Sequence, residues 1–317
     1  MEKICFYNTV HIGDTFFVEP FIRNFCDNNA NYTCYIWLLY GYFLYNDIKN
    51  LIPLDNYSET YNKSLNSGEP PEDKSNFDIN LKQMFISNHN TRFFKFKYNN
   101  ENFIAINTWC IALGCRSDMI PSQLNSGFSN VINTINQSQG IQYINKVVDR
   151  RDTMPKLPKV EITKFNNWAQ INTKKTCFFY NYRPRSISYH VHYNNIICNL
   201  ANIYKDYIFI VPRYENELAN IPNIKFCDID FGCIETPDCK NVVMIEKIAD
   251  SCSIVVTLPT GASWLFFNVN ILSQTNKKYI LSGAIYEKKL NDWFSYSFSS
   301  YEKIINNIDE NNIKNIF

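Results

Sequence analysis

The sequence KICFYNTVHIGDTFFVEPFIRNFCDNNANYTCYIWLLY, at residues 3–40, decides the fold. Its start, residues 3–7, is short, apolar and β-prone, and residues 32–40 form a continuous apolar run of the kind found in strands covered on both faces. Between them phenylalanines recur at every fourth position from Phe17 to Phe25, which indicates a helix. Strand, helix and strand in close succession predict a βαβ unit.

Alternating strands and helices are predicted along the rest of the chain. Pro20 requires that the first helix either begins near Glu19 or kinks there. Further strands are predicted over 102–112, 176–180, 207–211, 224–229, 253–258 and 271–273. Further helices are predicted over 129–148 with a break at Gly140, 193–204, 242–249 and 301–316. Residues 56–80 are polar and predict a loop, and residues 149–172 form the best linker. Two β/α series joined by one linker predict an α/β protein with two doubly wound domains that face a cleft.

The composition excludes several classes of protein. The chain has 317 residues, 45% of them hydrophobic, which suggests about two domains with substantial cores. Its 31 basic and 30 acidic residues balance, so no overall field favours nucleic acid as a partner. The sequence shows neither a spanning apolar run nor a signal-peptide pattern, and its 11 cysteines follow no disulfide framework. We therefore expect a cytoplasmic protein with free thiols. The abundant asparagine is interpreted as coding bias.

The first candidate site is the stretch from His11 to Thr15, directly after the first strand. Ligands of open α/β sheets bind beyond the carboxyl ends of the strands. Gly13 would let a substrate approach the backbone closely, and Asp14 would act as a general base toward an attacking hydroxyl. The structural alternative, equally favoured by these residues alone, is that Asp14 is a helix N-cap.

The second candidate site is the turn after the predicted strand 253–258. The backbone N–H groups around Thr260 and Gly261, with the hydroxyl of Ser263 nearby, would suit a diphosphate at a helix N-terminus. An ordinary βα turn with a Ser or Thr cap would show the same residues.

The third candidate site is Arg183 with Arg185, after the strand that opens the second half. Two guanidinium groups there would neutralise a leaving diphosphate, although a solvated turn is the commoner role of such residues. No metal site is expected, because His190 and His192 lack an evident third ligand. No P-loop, G-x-S-x-G, HExxH or GxGxxG motif is present, which argues against kinases, serine hydrolases, zincins and common dinucleotide enzymes.

The first of these stretches carries a family resemblance. The opening strand, Gly13-Asp14, Pro20 and Arg23 resemble the start of the heptosyltransferase-like glycosyltransferases, in which a strand leads to Gly-Asp and then to a Pro and an Arg on the next helix. No resemblance is found over residues 45 to 170.

The second half carries the same resemblance. Residues 245–257, IEKIADSCSIVVT, are similar to that family's helix and strand before the phosphate turn, and Thr260-Gly261 lies where the family has Asp-Thr-Gly. Pro259 replaces the family's Asp and Trp264 replaces a nearby His, so the donor need not be ADP-heptose.

The resemblance implies a GT-B fold, with an acceptor-side domain over 1–160 and a sugar-nucleotide domain over 161–317. The last helix would belong to the second domain, with packing back on the first as an option. It implies an inverting hexosyl or heptosyl transfer, without metal or cofactor, from a nucleotide-diphosphate sugar to a glycan or lipid-linked acceptor. Peripheral membrane contact is a further option.

The resemblance also implies roles for individual residues. Asp14 would be the catalytic base, with His11 and Gly13 on the acceptor side. The donor would be bound by Arg183 or Arg185, by Glu215 or Glu217 at the ribose, and by Thr260, Gly261 and Ser263 at the diphosphate. Two alternatives remain open: a sugar-nucleotide epimerase or hydrolase on the same fold, and a catalytically inactive glycan- or nucleotide-binding protein.

Overall fold

The computed structural model describes residues 2–9, 12–38, 42–55, 78–109, 121–140, 142–148, 155–180, 193–234, 240–257, 278–282, 303–305 and 317. The described residues up to Pro158 form one compact unit, and those from Lys159 onward form a second. Each unit is built on one sheet. No helix among these residues is long and apolar enough to cross a membrane.

The first unit has a five-stranded sheet in the order β3-β2-β1-β5-β4. Its strands are β1 (Lys3–Asn8), β2 (Cys34–Leu38), β3 (Leu51–Pro53), β4 (Phe93–Tyr98) and β5 (Glu101–Asn107). Its helices are α1 (Ile12–Asn28), α2 (Ile79–Ser87) and α3 (Pro121–Gln139), and a 3-10 turn spans Tyr42–Tyr45. The strands pair in parallel except β4, which forms an antiparallel hairpin with β5. The hairpin turn uses Asn99 and Asn100 at φ 48° and 64°, a conformation that asparagine tolerates better than most residues.

Successive side chains of β1 build the two apolar layers of the first unit. Phe6 packs against Phe25 of α1, with ring centroids 5.4 Å apart, and Tyr7 stacks on Phe85 of α2 at 4.7 Å. This alternation follows from the pleat of a strand, which sends neighbouring residues to opposite faces. The continuous apolar run of β1 is therefore explained by helices on both faces of the sheet.

The second unit has a six-stranded, wholly parallel sheet in the order β11-β10-β9-β6-β7-β8. Its strands are β6 (Lys175–Phe179), β7 (Tyr207–Val211), β8 (Ile224–Phe226), β9 (Ile254–Thr257), β10 (Lys278–Ser282) and β11 (Lys303–Ile305). Its helices are α4 (Thr163–Ile171), α5 (Tyr193–Ile203) and α6 (Lys240–Asp250). Read from β8, the strands follow the order 3-2-1-4-5-6 of a doubly wound Rossmann sheet. The predicted α/β fold class with two Rossmann-like sheets is confirmed.

Several local predictions were wrong. Of the two alternatives for the first helix, the start near Glu19 is wrong, because the helix begins at Ile12 and contains Pro20 in its interior. The helix α3 ends at Gln139, and residues 142–148 are not helical, because Gly140 takes a positive φ of 62°.

The predicted helix over 301–316 is also wrong where it can be compared. Lys303–Ile305 forms β11 in the sheet of the second unit, so this part of the proposed last helix does not exist. The predicted strand over 271–273 lies outside the described residues. The predicted linker over 149–172 contains helix α4, whose Phe165 is buried against Phe231.

In the first unit, asparagine side chains form hydrogen bonds to backbone N–H and C=O groups that have no partner within a helix or sheet. The extended stretch 142–148 is held by three amides that each bind both the N–H and the C=O of one residue: Asn29 with Ile144, Asn136 with Tyr143 and Asn125 with Val148, at 2.7–3.1 Å. Such side chains satisfy backbone groups that would otherwise lose their partners on burial. Coding bias is therefore an insufficient account of the asparagine content.

Candidate functional site

The first sheet has its switch point between β1 and β5, since β2 and β3 lie on one side of β1 and β5 and β4 lie on the other. A buried polar link joins the carboxyl ends of these two strands. Asn8 donates from Nδ2 to Oγ1 of Thr108 at 3.2 Å, and Thr108 donates from Oγ1 to the carbonyl of Tyr7 at 3.1 Å. Asn8 and Thr108 are both buried. The edge at which a ligand is expected is therefore rigid and polar beneath its surface.

The buried amide of Asn107 holds two further segments at this edge. Its Nδ2 donates to the carbonyl of His89 at 2.7 Å, and its Oδ1 accepts from the backbone N–H of Trp109 at 3.1 Å. The rings of His89 and Trp109 stack with centroids 6.0 Å apart and planes inclined by 29°. The sequence interpretation did not find this pair, because residues 20 apart come together only through the β4–β5 hairpin.

Helix α1 begins four residues after β1 ends, so Gly13 and Asp14 lie in its first turn. Within these bounds Asp14 is the third residue of the helix. The partial positive charge of a helix N-terminus favours a carboxylate in this turn. The side chain of Asp14 and the whole of His11 are outside the described residues.

The first turns of α1 are fastened to the 3-10 turn that follows β2. Tyr45 donates its hydroxyl to the carbonyl of Thr15 at 3.0 Å, inside the core. Burial, with the neighbouring charge of Glu19, raises the pKa of Tyr45 well above its ordinary value, so the phenol stays protonated and keeps donating. This bond fixes the helix one residue after Asp14.

An ion cluster built on the buried carboxylate of Glu19 fixes the middle of the same helix. Arg23 donates from Nε to Oε1 of Glu19 at 2.6 Å and from both terminal nitrogens to Asp47 at 2.8 and 3.0 Å. The other Glu19 oxygen accepts the backbone N–H of Lys156 at 3.2 Å. Burial raises the pKa of Glu19 to about 7, even though Arg23 favours the charged form. Arg23, which is part of the family resemblance, therefore has a structural role: it links Glu19 of α1 to Asp47.

The second sheet has its switch point between β6 and β9, which pair directly, with Phe179 opposite Val256. The ladder continues past β6, since the N–H of Tyr180 donates to the carbonyl of Val256 at 2.8 Å. The chain then enters residues 181–192 after β6 and residues 258–277 after β9. The predicted donor residues of these two stretches lie outside the described residues: Arg183, Arg185, Thr260, Gly261 and Ser263. The strand ends from which both stretches depart are adjacent.

The two predicted ribose-binding acids follow β7, next to β6 in the sheet. Glu217 accepts a hydrogen bond at 3.3 Å from Asn194 in the first turn of α5, while Glu215 lies four residues beyond Val211. The segment is anchored by Asp228, whose carboxylate accepts the N–H of Tyr214 at 2.9 and 3.1 Å. Of the two acids, Glu215 is thus the closer in sequence to the end of β7.

Within the described ranges, no group of three or more His, Cys, Asp or Glu side chains is arranged to hold a metal ion. The described cysteines are free thiols, and burial raises the pKa of Cys227, with a further contribution from Cys233. His190 and His192 lie outside these ranges.

Neither a protein-family model nor a curated protein matches the sequence. Solved structures with a similar fold include E. coli heptosyltransferase WaaC with ADP, at 11% identity and TM-score 0.42 over 99% of this chain and 98% of that chain. E. coli ADP-heptose lps heptosyltransferase II is similar at 13% identity and TM-score 0.45, over 97% of this chain and 92% of that chain. Glycosyl transferase family 9 from Veillonella parvula is similar at 10% identity and TM-score 0.42, over 96% and 86%. The chain is thus similar over nearly its whole length to heptosyltransferases and a family 9 glycosyltransferase, at a level from which we draw no functional conclusion.

Proposed function

We propose that the chain is a glycosyltransferase that moves a sugar from a nucleotide-diphosphate donor to a hydroxyl of a glycan or lipid-linked acceptor. The observation that supports this most is the order of the second sheet. It makes β6 and β9 neighbours at the switch point, and each is followed by one of the two stretches predicted to bind the diphosphate. Ligands of doubly wound sheets bind at that point.

In this proposal the second unit binds the donor. Backbone N–H groups at Thr260 and Gly261, with the hydroxyl of Ser263, hold the diphosphate. Arg183 and Arg185 neutralise the charge that develops on the leaving group. Glu215 binds the ribose hydroxyls, as an acid at the end of a second Rossmann strand does.

In the same proposal the first unit supplies the base. The acceptor oxygen attacks the anomeric carbon from the side opposite the diphosphate, and the bond from that carbon to the phosphate oxygen breaks. Its electron pair leaves with the diphosphate, the hydroxyl proton passes to Asp14, and the anomeric centre inverts. Oriented N–H groups and guanidinium groups stabilise the leaving group without a metal ion in this scheme.

A panel of sugar nucleotides tests the donor class. We expect one of the ADP-, UDP- or GDP-sugars to raise the melting temperature, because a ligand that binds only the folded state stabilises it by mass action. CMP-sugars, which carry a single phosphate, serve as the comparison series. NMR of the stabilising donor alone separates the alternatives: an epimerase or hydrolase changes the donor without acceptor, whereas a transferase consumes it only with an acceptor. Stabilisation by none of the three diphosphate series would overturn the proposal.

A further inference from the structure

We propose that His89 and Trp109 form the platform on which the acceptor sugar stacks. This inference rests on the proposed function and assigns the acceptor position within the first unit. The platform is defined by the stacked rings of these two residues, 6.0 Å apart between centroids.

The platform lies on the edge of the sheet where a ligand is expected. Because β4 runs antiparallel to β5, its first residue, Phe93, pairs with Ile106 near the carboxyl end of β5. The turn that carries His89 therefore meets the residues that follow β5. Helix α1, with Asp14 in its first turn, starts from the adjacent strand end of β1. The platform and the proposed base thus belong to neighbouring strand ends.

The two rings are held in place before any ligand arrives. Asn107 is fully buried and binds the backbone of both ring-bearing residues, and the hydroxyl of Tyr7 donates to the carbonyl of Asn88 at 2.8 Å. The His89 ring is oriented by a 3.1 Å hydrogen bond between Nδ1 and the carbonyl of Ile86. Ordering these side chains on binding costs little entropy, which favours recognition by a fixed surface.

The chemistry of the platform favours a sugar. A pyranose presents a face of C–H groups that packs on an aromatic ring, and its hydroxyls need polar neighbours at the rim. His89 is exposed and Trp109 is half-buried, and Trp109 directly follows Thr108, which is hydrogen-bonded to Asn8, so aromatic and polar groups adjoin at this edge. A nucleobase would also stack on such a surface. We favour the sugar because the donor nucleotide is assigned to the second unit.

Fluorine NMR of protein labelled with 5-fluorotryptophan tests the platform without requiring turnover. The chain has five tryptophans, and the resonance missing from Trp109→Phe identifies Trp109. Methyl glycosides of glucose, galactose and mannose are titrated, with AMP as the nucleotide probe. We expect at least one glycoside to shift the Trp109 resonance while that of Trp168, packed against Phe231 in the second unit, stays in place.

His89→Ala should weaken that glycoside about tenfold, a loss of roughly 1.4 kcal/mol, whereas its exposed neighbour Asn90→Ala should leave the affinity unchanged. A Trp109 resonance that responds to AMP but to no glycoside, or to nothing, would overturn the inference. Stabilisation by sugar nucleotides is measured on the same samples. If it is present while the glycosides fail, the platform is wrong and the glycosyltransferase proposal stands; if it is absent, the proposed function fails.

Discussion

Asn50 and Asn223 occupy equivalent positions in the two units and make the same bonds. Each immediately precedes the third strand of its unit, and each donates its side-chain amide to three backbone carbonyls near the end of the helix that connects the first two strands. The acceptors are Cys26, Asn29 and Tyr32 for Asn50, and Ala201, Tyr204 and Tyr207 for Asn223, at 2.9–3.3 Å. The backbone carbonyl of each asparagine also accepts a 2.8 Å hydrogen bond from a backbone N–H of the second strand, from Cys34 to Asn50 and from Phe209 to Asn223. The two units thus hold the end of the helix between their first two strands in the same way.

Asn223→Ala should lower the free energy of unfolding by about 2 kcal/mol, because it removes the amide that donates to the carbonyls of Ala201, Tyr204 and Tyr207. Asn220→Ala, at an exposed position of the same connection, should change it by less than about 0.5 kcal/mol. Urea denaturation followed by circular dichroism measures both values. Equal effects of the two variants would show that the three bonds of Asn223 contribute nothing specific.

Asp14→Asn should abolish sugar transfer while leaving the fold and donor binding intact, because the amide cannot accept the hydroxyl proton. Asp27→Asn is the matched control, since Asp27 is an exposed carboxylate near the other end of α1. Turnover is measured with the donor found in the thermal-shift panel, and donor binding by the shift itself. Near-normal turnover in Asp14→Asn would remove Asp14 from the role of base.

Ionisation of Glu19 should lower the free energy of unfolding as the pH rises. Its folded-state pKa of about 7 exceeds the ordinary value of 4.5, so the folded state holds the proton more tightly than the unfolded state. The stabilising effect of that proton is complete below the ordinary pKa and is lost as the pH rises toward 7, by about 3 kcal/mol in total.

Glu19→Gln should flatten this part of the profile, because the amide keeps the shape of the protonated acid and does not ionise. Urea denaturation at several values between pH 4.5 and 8 compares it with wild type and with the exposed Glu161→Gln. Parallel profiles for all three proteins would assign the pH dependence to other groups.

Arg183→Ala combined with Arg185→Ala should weaken binding of the donor nucleotide at least about tenfold, since a guanidinium bond to phosphate is worth about 1.5–3 kcal/mol. Arg92→Ala, at an exposed position of the first unit, is the control for loss of a positive charge. Isothermal titration with the nucleoside diphosphate gives the affinities. An unchanged affinity in the double variant would move the diphosphate away from the stretch after β6.

Local sequence patterns were sufficient to predict the strands that are buried on both faces. The run at 207–211 became β7 with every residue buried, because an uninterrupted apolar segment of that length fits a central parallel strand. Ile304 and Ile305 were assigned to a helix because a pair of isoleucines fits either period, and only pairing with β10 selects the strand. The strand β10 itself was missed.

In the candidate site, too, the residues with a local sequence signal could be predicted, whereas the contacts between separate elements could not. Gly13 and Asp14 could be singled out because a polar turn after a strand is a local signal. The links from Arg23 to Asp47 and from Asn107 to His89 and Trp109 join separate elements. They depend on which strands become neighbours, and no pattern within one segment records that.

The bond between Glu19 and the backbone of Lys156 has a consequence for mutations that lie far from Asp14 in the sequence. Lys156 stands two residues before Pro158, the last described residue of the first unit. Its hydrogen-bond partner, Glu19, lies five residues, or about 7.5 Å along the helix, from Asp14. A substitution that pulls the chain away at Lys156 would strip a buried carboxylate of its backbone donor and loosen the helix that carries the proposed base. Substitutions around Lys156 should therefore change activity without altering any residue proposed to contact the substrate.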